Sequence, residues 1–307
     1  MKFKIFILLL VFTLVLSKVN AQQDSHFTQY MYNTMTINPA YSGTNEHKII
    51  NLLGRAQWVG VDGSPSTQTV SYDTPLGYSG MGLGVNLTND QIGPAHEIAL
   101  DINTSYIIRA SEKGKISFGL KLGGRHLAVD WNKGLVKDVQ DKKLTGNISR
   151  FLPTIGAGIY YYTNKLYLGV STPNMLKARY YDDSIASGGG VAAERMHFFL
   201  IGGYVFDLSE NLKFKPAFLT KVVSGAPLSL DVSANFLFNK KFTLGASWRW
   251  NDSISALLGF KATKNLELGF AYDLTTSNYS NYNSGTYELM IRWNFFKELT
   301  AKSPRFF

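Results

Sequence analysis

Cysteine is absent from all 307 residues. That absence excludes a disulfide framework, a thiolate-ligated zinc or iron–sulfur centre, a lipoprotein anchor cysteine and a thiol nucleophile. Charge is sparse, at 17% Asp, Glu, Lys and Arg, whereas 45% of residues are hydrophobic and 14% aromatic. A chain so apolar and so weakly charged is ordered rather than intrinsically disordered. Long hydrophobic runs are lacking too. The longest, Ile5 to Leu16 interrupted by Thr13, falls short of the roughly 20 residues that a membrane-spanning helix needs. Lys2 and Lys4 precede it and Val19-Asn20-Ala21 follow, so residues 1–21 read as a signal peptide cleaved near Ala21. Its removal takes three lysines and no acid, lowering the formal net charge from +9 to +6. Further membrane contact must then be made by strands or by the surface.

From Lys48 onward one theme repeats: segments with period-two alternation, rich in Val, Ile, Leu, Phe, Tyr and Thr and punctuated by Asn, Asp, Gly or Ser. Between Leu228 and Asn239, for example, Leu228, Leu230, Val232, Ala234, Phe236 and Phe238 alternate with a mostly polar set. The pattern predicts about fourteen strands, near 48–58, 66–76, 79–89, 96–110, 114–130, 151–163, 165–172, 195–208, 211–223, 226–239, 240–251, 253–263, 264–274 and 285–297.

Alternation fits a soluble sandwich as well as a transmembrane barrel, but two features favour the barrel. Tight connections follow the even strands, as at Glu112-Lys113, Thr163-Asn164 and Asn239-Lys240, while the long ones, 131–150, 173–194 and 275–284, all fall on the other rim. Charges also keep to the polar face: Asp101 beside Leu100 and Ile102, Lys121 between Leu120 and Leu122, Glu288 and Arg292 opposite Leu289, Ile291 and Trp293. Trp58, Tyr161, Trp248, Trp250, Tyr272 and Trp293 near strand ends suit interfacial girdles. The expected fold is all-β, a monomeric transmembrane antiparallel meander barrel over residues 47–298 with a tail at 299–307.

Residues 22–46 do not alternate. Phe27, Tyr30, Met31, Thr34 and Met35 recur at helical spacing up to Asn38-Pro39, predicting a short helix at the periplasmic mouth, a plug-like element. Glycines on the polar strand faces, including Gly80, Gly82, Gly84, Gly119, Gly158 and Gly269, leave two readings open. They relieve barrel curvature, or they bare the lumen wall to an approaching backbone, either this segment or a client strand.

Several short stretches resemble the PorP/SprF proteins of Bacteroidetes. They are Gln29-Tyr30-Met31-Tyr32-Asn33, Ile37-Asn38-Pro39-Ala40-Tyr41-Ser42-Gly43, Arg55-Ala56-Gln57-Trp58-Val59-Gly60, Asn89-Asp90-Gln91-Ile92-Gly93-Pro94, Val223-Ser224-Gly225-Ala226-Pro227 and Tyr272-Asp273-Leu274-Thr275-Thr276. The resemblance implies an outer-membrane barrel of type IX secretion and gliding motility that binds, delivers or anchors secreted proteins carrying a C-terminal sorting domain. Its partners would be that client, the secretion machinery and outer-membrane lipid. The tail, ending in Phe307, also resembles the family and suits an assembly signal. Tyr30, Asn38, Pro39, Tyr41, Arg55, Gln57 and Trp58 are the candidate partner contacts.

Enzymatic chemistry has little support. No HExxH or G-x-S-x-G motif is present, and His26, His47, His96, His126 and His197 are scattered. No cofactor, metal or nucleic-acid partner is expected. The lysine-rich 131–150 loop suits lipid phosphates, an acidic client or plain solvation. It is also long enough to fold inward as a porin constriction, so a diffusion porin or small-solute channel is the alternative reading. A purely structural adhesin is a third.

Overall fold

A computed structural model describes residues 26–45, 47–77, 80–131, 147–176, 196–224 and 226–296. The leader, the middles of the two longest loops and the tail lie outside the described residues. Fourteen strands form one closed antiparallel barrel: β1 Lys48–Ala56, β2 Ser66–Leu76, β3 Met81–Ile92, β4 Ala95–Arg109, β5 Lys115–Val129, β6 Ile148–Tyr162 and β7 Leu166–Thr172 make the first half. β8 runs over His197–Tyr204 and resumes as Phe206–Ser209; β9 Leu212–Val223, β10 Ser229–Phe238, β11 Phe242–Arg249, β12 Ser253–Lys261, β13 Leu266–Thr275 and β14 Thr286–Phe295 complete it. β14 pairs with β1 from Lys48↔Phe295 to Ala56↔Tyr287, so the sheet has no free edge there. The eighth strand differs from the single run expected: the ladder breaks at Val205, and both pieces pair with β9.

Alternation sorts the two faces as the sequence pattern requires. Leu100, Ile102, Leu120 and Leu122 project outward, between 51% and 61% exposed, while Asn103, Ser105, Ser117 and Lys121 on the same strands are buried in the lumen. A closed barrel satisfies its strand backbone internally, which is what hydrocarbon demands, and it presents an apolar band to lipid. Trp248, Trp250 and Trp293 lie outward near strand ends. Trp58, grouped with them by sequence, instead belongs to the loop after β1 and stacks on Tyr279 at 5.3 Å.

Hairpins on one rim are tight. The turn from β10 to β11 is closed by the Lys241 N–H donating to the Phe238 carbonyl at 2.9 Å, with Asn239 and Lys240 both at positive φ. That is the turn geometry whose twist matches the flanking strands. The longest connections, after β5, β7 and β13, leave from the opposite rim.

Leu122 sits at the centre of β5 and faces outward. Leu122→Arg should lower barrel stability by about 2–4 kcal/mol in urea titrations in lipid bilayers. A loss below about 0.5 kcal/mol would show that this face does not meet hydrocarbon.

Candidate functional site

The polar lumen is filled in part by the chain's own residues 26–45. The sequence predicts a helix at the mouth. The segment instead runs through the barrel in an irregular path, with a four-residue α-helix, Thr34–Ile37 (α1), and a 3-10 turn, Pro39–Tyr41. Before this helix the chain makes single turns, with the Tyr32 N–H donating to the Gln29 carbonyl and the Asn33 N–H to the Tyr30 carbonyl, and barrel carboxylates hold its backbone. The Thr28 and Gln29 N–H groups donate to the two oxygens of Glu288, at 2.6 and 2.9 Å.

That end of the segment lies toward the long-loop rim. Arg55 is the next-to-last residue of β1, Asp273 is near the end of β13 and Glu288 near the start of β14. Arg55 donates from Nη1 to Asp273 at 2.9 Å and to Glu288, and all three side chains are buried. Thr28 Oγ1 donates to Asp273 at 2.8 Å. Two carboxylates facing one guanidinium leave one negative charge in excess, and the amide donors of Thr28 and Gln29 offset it. Beside this cluster His26 Nε2 lies 3.0 Å from Asp231, which also accepts from Arg249 Nε at 2.6 Å.

The other end leaves by the short-turn rim. Asp73, near the end of β2, accepts the Gly43 N–H at 2.6 Å and Asn45 Nδ2 at 2.9 Å. A carboxylate clamp therefore holds the segment at each end. Between them, Asn38 Nδ2 donates to the Ile159 carbonyl, Ser171 Oγ to the Ile37 carbonyl and Lys121 Nζ to the Thr36 carbonyl. Glycines make room for this path. A Cβ at Gly119 would overlap the backbone of Ala40, one at Gly82 the Ser42 carbonyl and one at Gly158 the Asn38 side chain. At Gly119 and Gly82 the bare wall admits a backbone and at Gly158 the Asn38 side chain, whereas Gly80 lies in the turn before β3, at φ +73°.

Apolar contacts complete the seat. Tyr30, Ile37 and Ala40 pack with Tyr160, Phe199, Ile201 and Leu219, while Phe27 packs with Leu53 and Met290. Burial of each large side chain contributes about 1.5–3 kcal/mol.

The seven sequence-derived contacts thus separate. Tyr30, Asn38 and Pro39 are buried in the lumen, Tyr41 packs edge-on against Tyr160 at 5.5 Å, and Arg55 holds the segment rather than facing outward. Gln57 and Trp58 lie apart from them at the long-loop rim; the Gln57 N–H donates to Pro65 O and the Trp58 N–H to Thr286 Oγ1. The sequence reading did not single out Asp73, Asp273 or the inward apolar residues Leu53, Ile201, Leu219 and Met290. Their signal was present: Leu52-Leu53 and Leu289-Met290-Ile291 break strict alternation where an inner face packs on something other than water.

Two outcomes follow. Arg55→Gln strands two carboxylates together and should cost about 3–5 kcal/mol, whereas Glu288→Gln loses charge-assisted bonds worth about 1.5–3 kcal/mol. Urea unfolding, with hydrogen exchange at residues 26–31, ranks them; the reverse order would refute the charge balance described.

Among solved structures, the barrel is similar to the CymD monoaromatic hydrocarbon channel, at 11% identity over 87% of this chain and 93% of that one, with a TM-score of 0.49. It is similar also to the P. putida toluene transporter TodX, at 10% identity over 92% and 97%, TM-score 0.47. The NanC porin gives 8% identity over 81% and 100%, TM-score 0.44. No curated protein sequence matches this one significantly. Residues 19–293 match the type IX secretion system membrane proteins PorP/SprF. The match takes in the luminal segment and nearly every strand, and the chain is therefore an outer-membrane β-barrel belonging to the PorP/SprF family of type IX secretion.

Proposed function

We propose that this barrel is a non-enzymatic outer-membrane component of type IX secretion and gliding motility, binding and anchoring a secreted client that carries a C-terminal sorting domain. The observation that carries this reading is the lumen, threaded by residues 26–45 and shaped for a backbone rather than for the passage of solutes. Polar clamps at both ends are exchangeable contacts, since water or another chain can satisfy the same carboxylates. Gln57 and Trp58, beside the long-loop rim, offer a docking edge on the outer side, and lipid surrounds the apolar band. In this reading Tyr30, Asn38, Pro39 and Tyr41 become partner contacts when the segment is displaced, with Arg55 as the latch. The leader is removed near Ala21, and the short-turn rim faces the periplasm.

The rival is a diffusion porin, which needs an open path. Affinity capture of the tagged barrel from its native outer membrane, with mass spectrometry, should recover a secreted protein bearing a C-terminal sorting domain. Recovery of the barrel alone, together with steady single-channel conductance in planar bilayers, would replace the anchor reading with the porin.

A further inference from the structure

Beside the luminal segment, on the β9–β14 side of the barrel, lies a cavity of about 360 Å³. Met31 and Tyr32 form its inner boundary, and the hairpin from Lys261 to Leu266 places it at the short-turn rim. Its walls carry a strongly one-sided charge. Lys215, Lys261, Lys264 and Arg292 line it, and Glu267 is the acidic group among the lining residues.

The strand register explains the clustering. Lys261 is directly opposite Glu267, and Glu267 directly opposite Arg292, so one buried carboxylate sits between two cations at one height of the wall. Glu267 also faces the Tyr32 hydroxyl. Lys213, a fifth lining cation, is neutralised from outside by Asp207 at 2.7 Å. Lys215 is different: its ammonium lies 5.4 Å from the centre of the Tyr167 ring. Among the described residues no carboxylate lies within ion-pair distance of Lys215, Lys261, Lys264 or Arg292.

Cations drawn into a concave site with low-dielectric walls repel one another and concentrate counter-ions. The wall elsewhere in the lumen does not behave this way, since Lys121, Arg125, Arg55 and Arg249 each face their own carboxylate. The protein's own tail is a poor occupant, because Lys297, Lys302 and Arg305 outnumber Glu298. The volume is that of a small-molecule pocket rather than of a polymer channel.

We infer that this cavity is a binding site for a compact, multiply charged oxyanion bearing phosphate or carboxylate groups, with Arg292 and Lys215 as its principal contacts and Lys261 and Lys264 at its opening. Arg292 supplies the planar fork suited to two oxygens, and the lysines supply point charges. The site is distinct from the backbone groove that holds residues 33–43, and it does not depend on the identity of any client.

The test uses the full-length barrel in phosphatidylcholine nanodiscs, titrated with pyrophosphate and with citrate at constant ionic strength and followed by thermal unfolding. A saturable stabilisation by either probe is expected. Lys215→Gln combined with Arg292→Gln should weaken it at least tenfold, and Lys264→Gln, on an exposed turn that folding does not need, should weaken it several-fold. Lys113→Gln, exposed on the same rim outside the cavity, should leave it unchanged. Retained heat-modifiable mobility in gels certifies that each variant is folded. If phosphatidic acid in the bilayer suppresses the pyrophosphate response, the natural ligand is a lipid headgroup; if not, it is a soluble anion. No saturable response in the unaltered barrel, or equal responses in all variants, overturns the inference.

Discussion

Everything in this molecule depends on closing the hydrogen-bond ladder. In hydrocarbon an unsatisfied backbone N–H or C=O costs several kcal/mol, so the pairing of Lys48–Ala56 with Thr286–Phe295 fixes which residues can face outward. Once the seam is set, a period of two sends Leu100, Ile102, Leu120 and Leu122 to lipid, and Asn103, Ser105 and Lys121 to the lumen. The interior that results is mostly polar, with an apolar strip around Ile201 and Leu219, and its contents decide its behaviour.

What fills it is a peptide segment gripped by its main chain as well as by its side chains. Carboxylates of Glu288 and Asp73 accept backbone amides, and side chains of Asn38, Ser171 and Lys121 meet backbone carbonyls. The apolar component is concentrated on one side, where Tyr30 and Ile37 meet Ile201 and Leu219. The lumen is organised around the chain's own segment, and the basic chamber beside Tyr32 is the part of it built on a different principle.

The barrel was legible because its determinants are local and repeated. Alternation, turn residues and the parity of loop lengths place all fourteen strands, and the break at Val205 escapes only because Phe206 and Leu208 continue the outward apolar pattern. The segment's path was not legible in the same way. Phe27, Tyr30, Met31 and Met35 have helical spacing, but the partners that decide their conformation, Glu288 and Asp273, lie more than two hundred residues away in sequence. No local periodicity encodes such a contact. The glycines carried the needed hint, yet Gly84 and Gly119 serve curvature and close approach equally well until a neighbour is known.

The glycine-lined wall also sets where sequence can change. Gly82 and Gly119 lie against the main chain of Ser42 and Ala40, whereas Gly84 and Gly158 lie under the side chains of Met35 and Asn38. A new side chain on the guest at Thr36 or Tyr41, both half-buried, can turn toward the space around it. A single methyl group on the host at Gly82 or Gly119 would run into backbone and has nowhere to go. Over generations the strip of wall at Gly82 and Gly119 would stay bare, because the main chain of residues 40–42 lies directly against it.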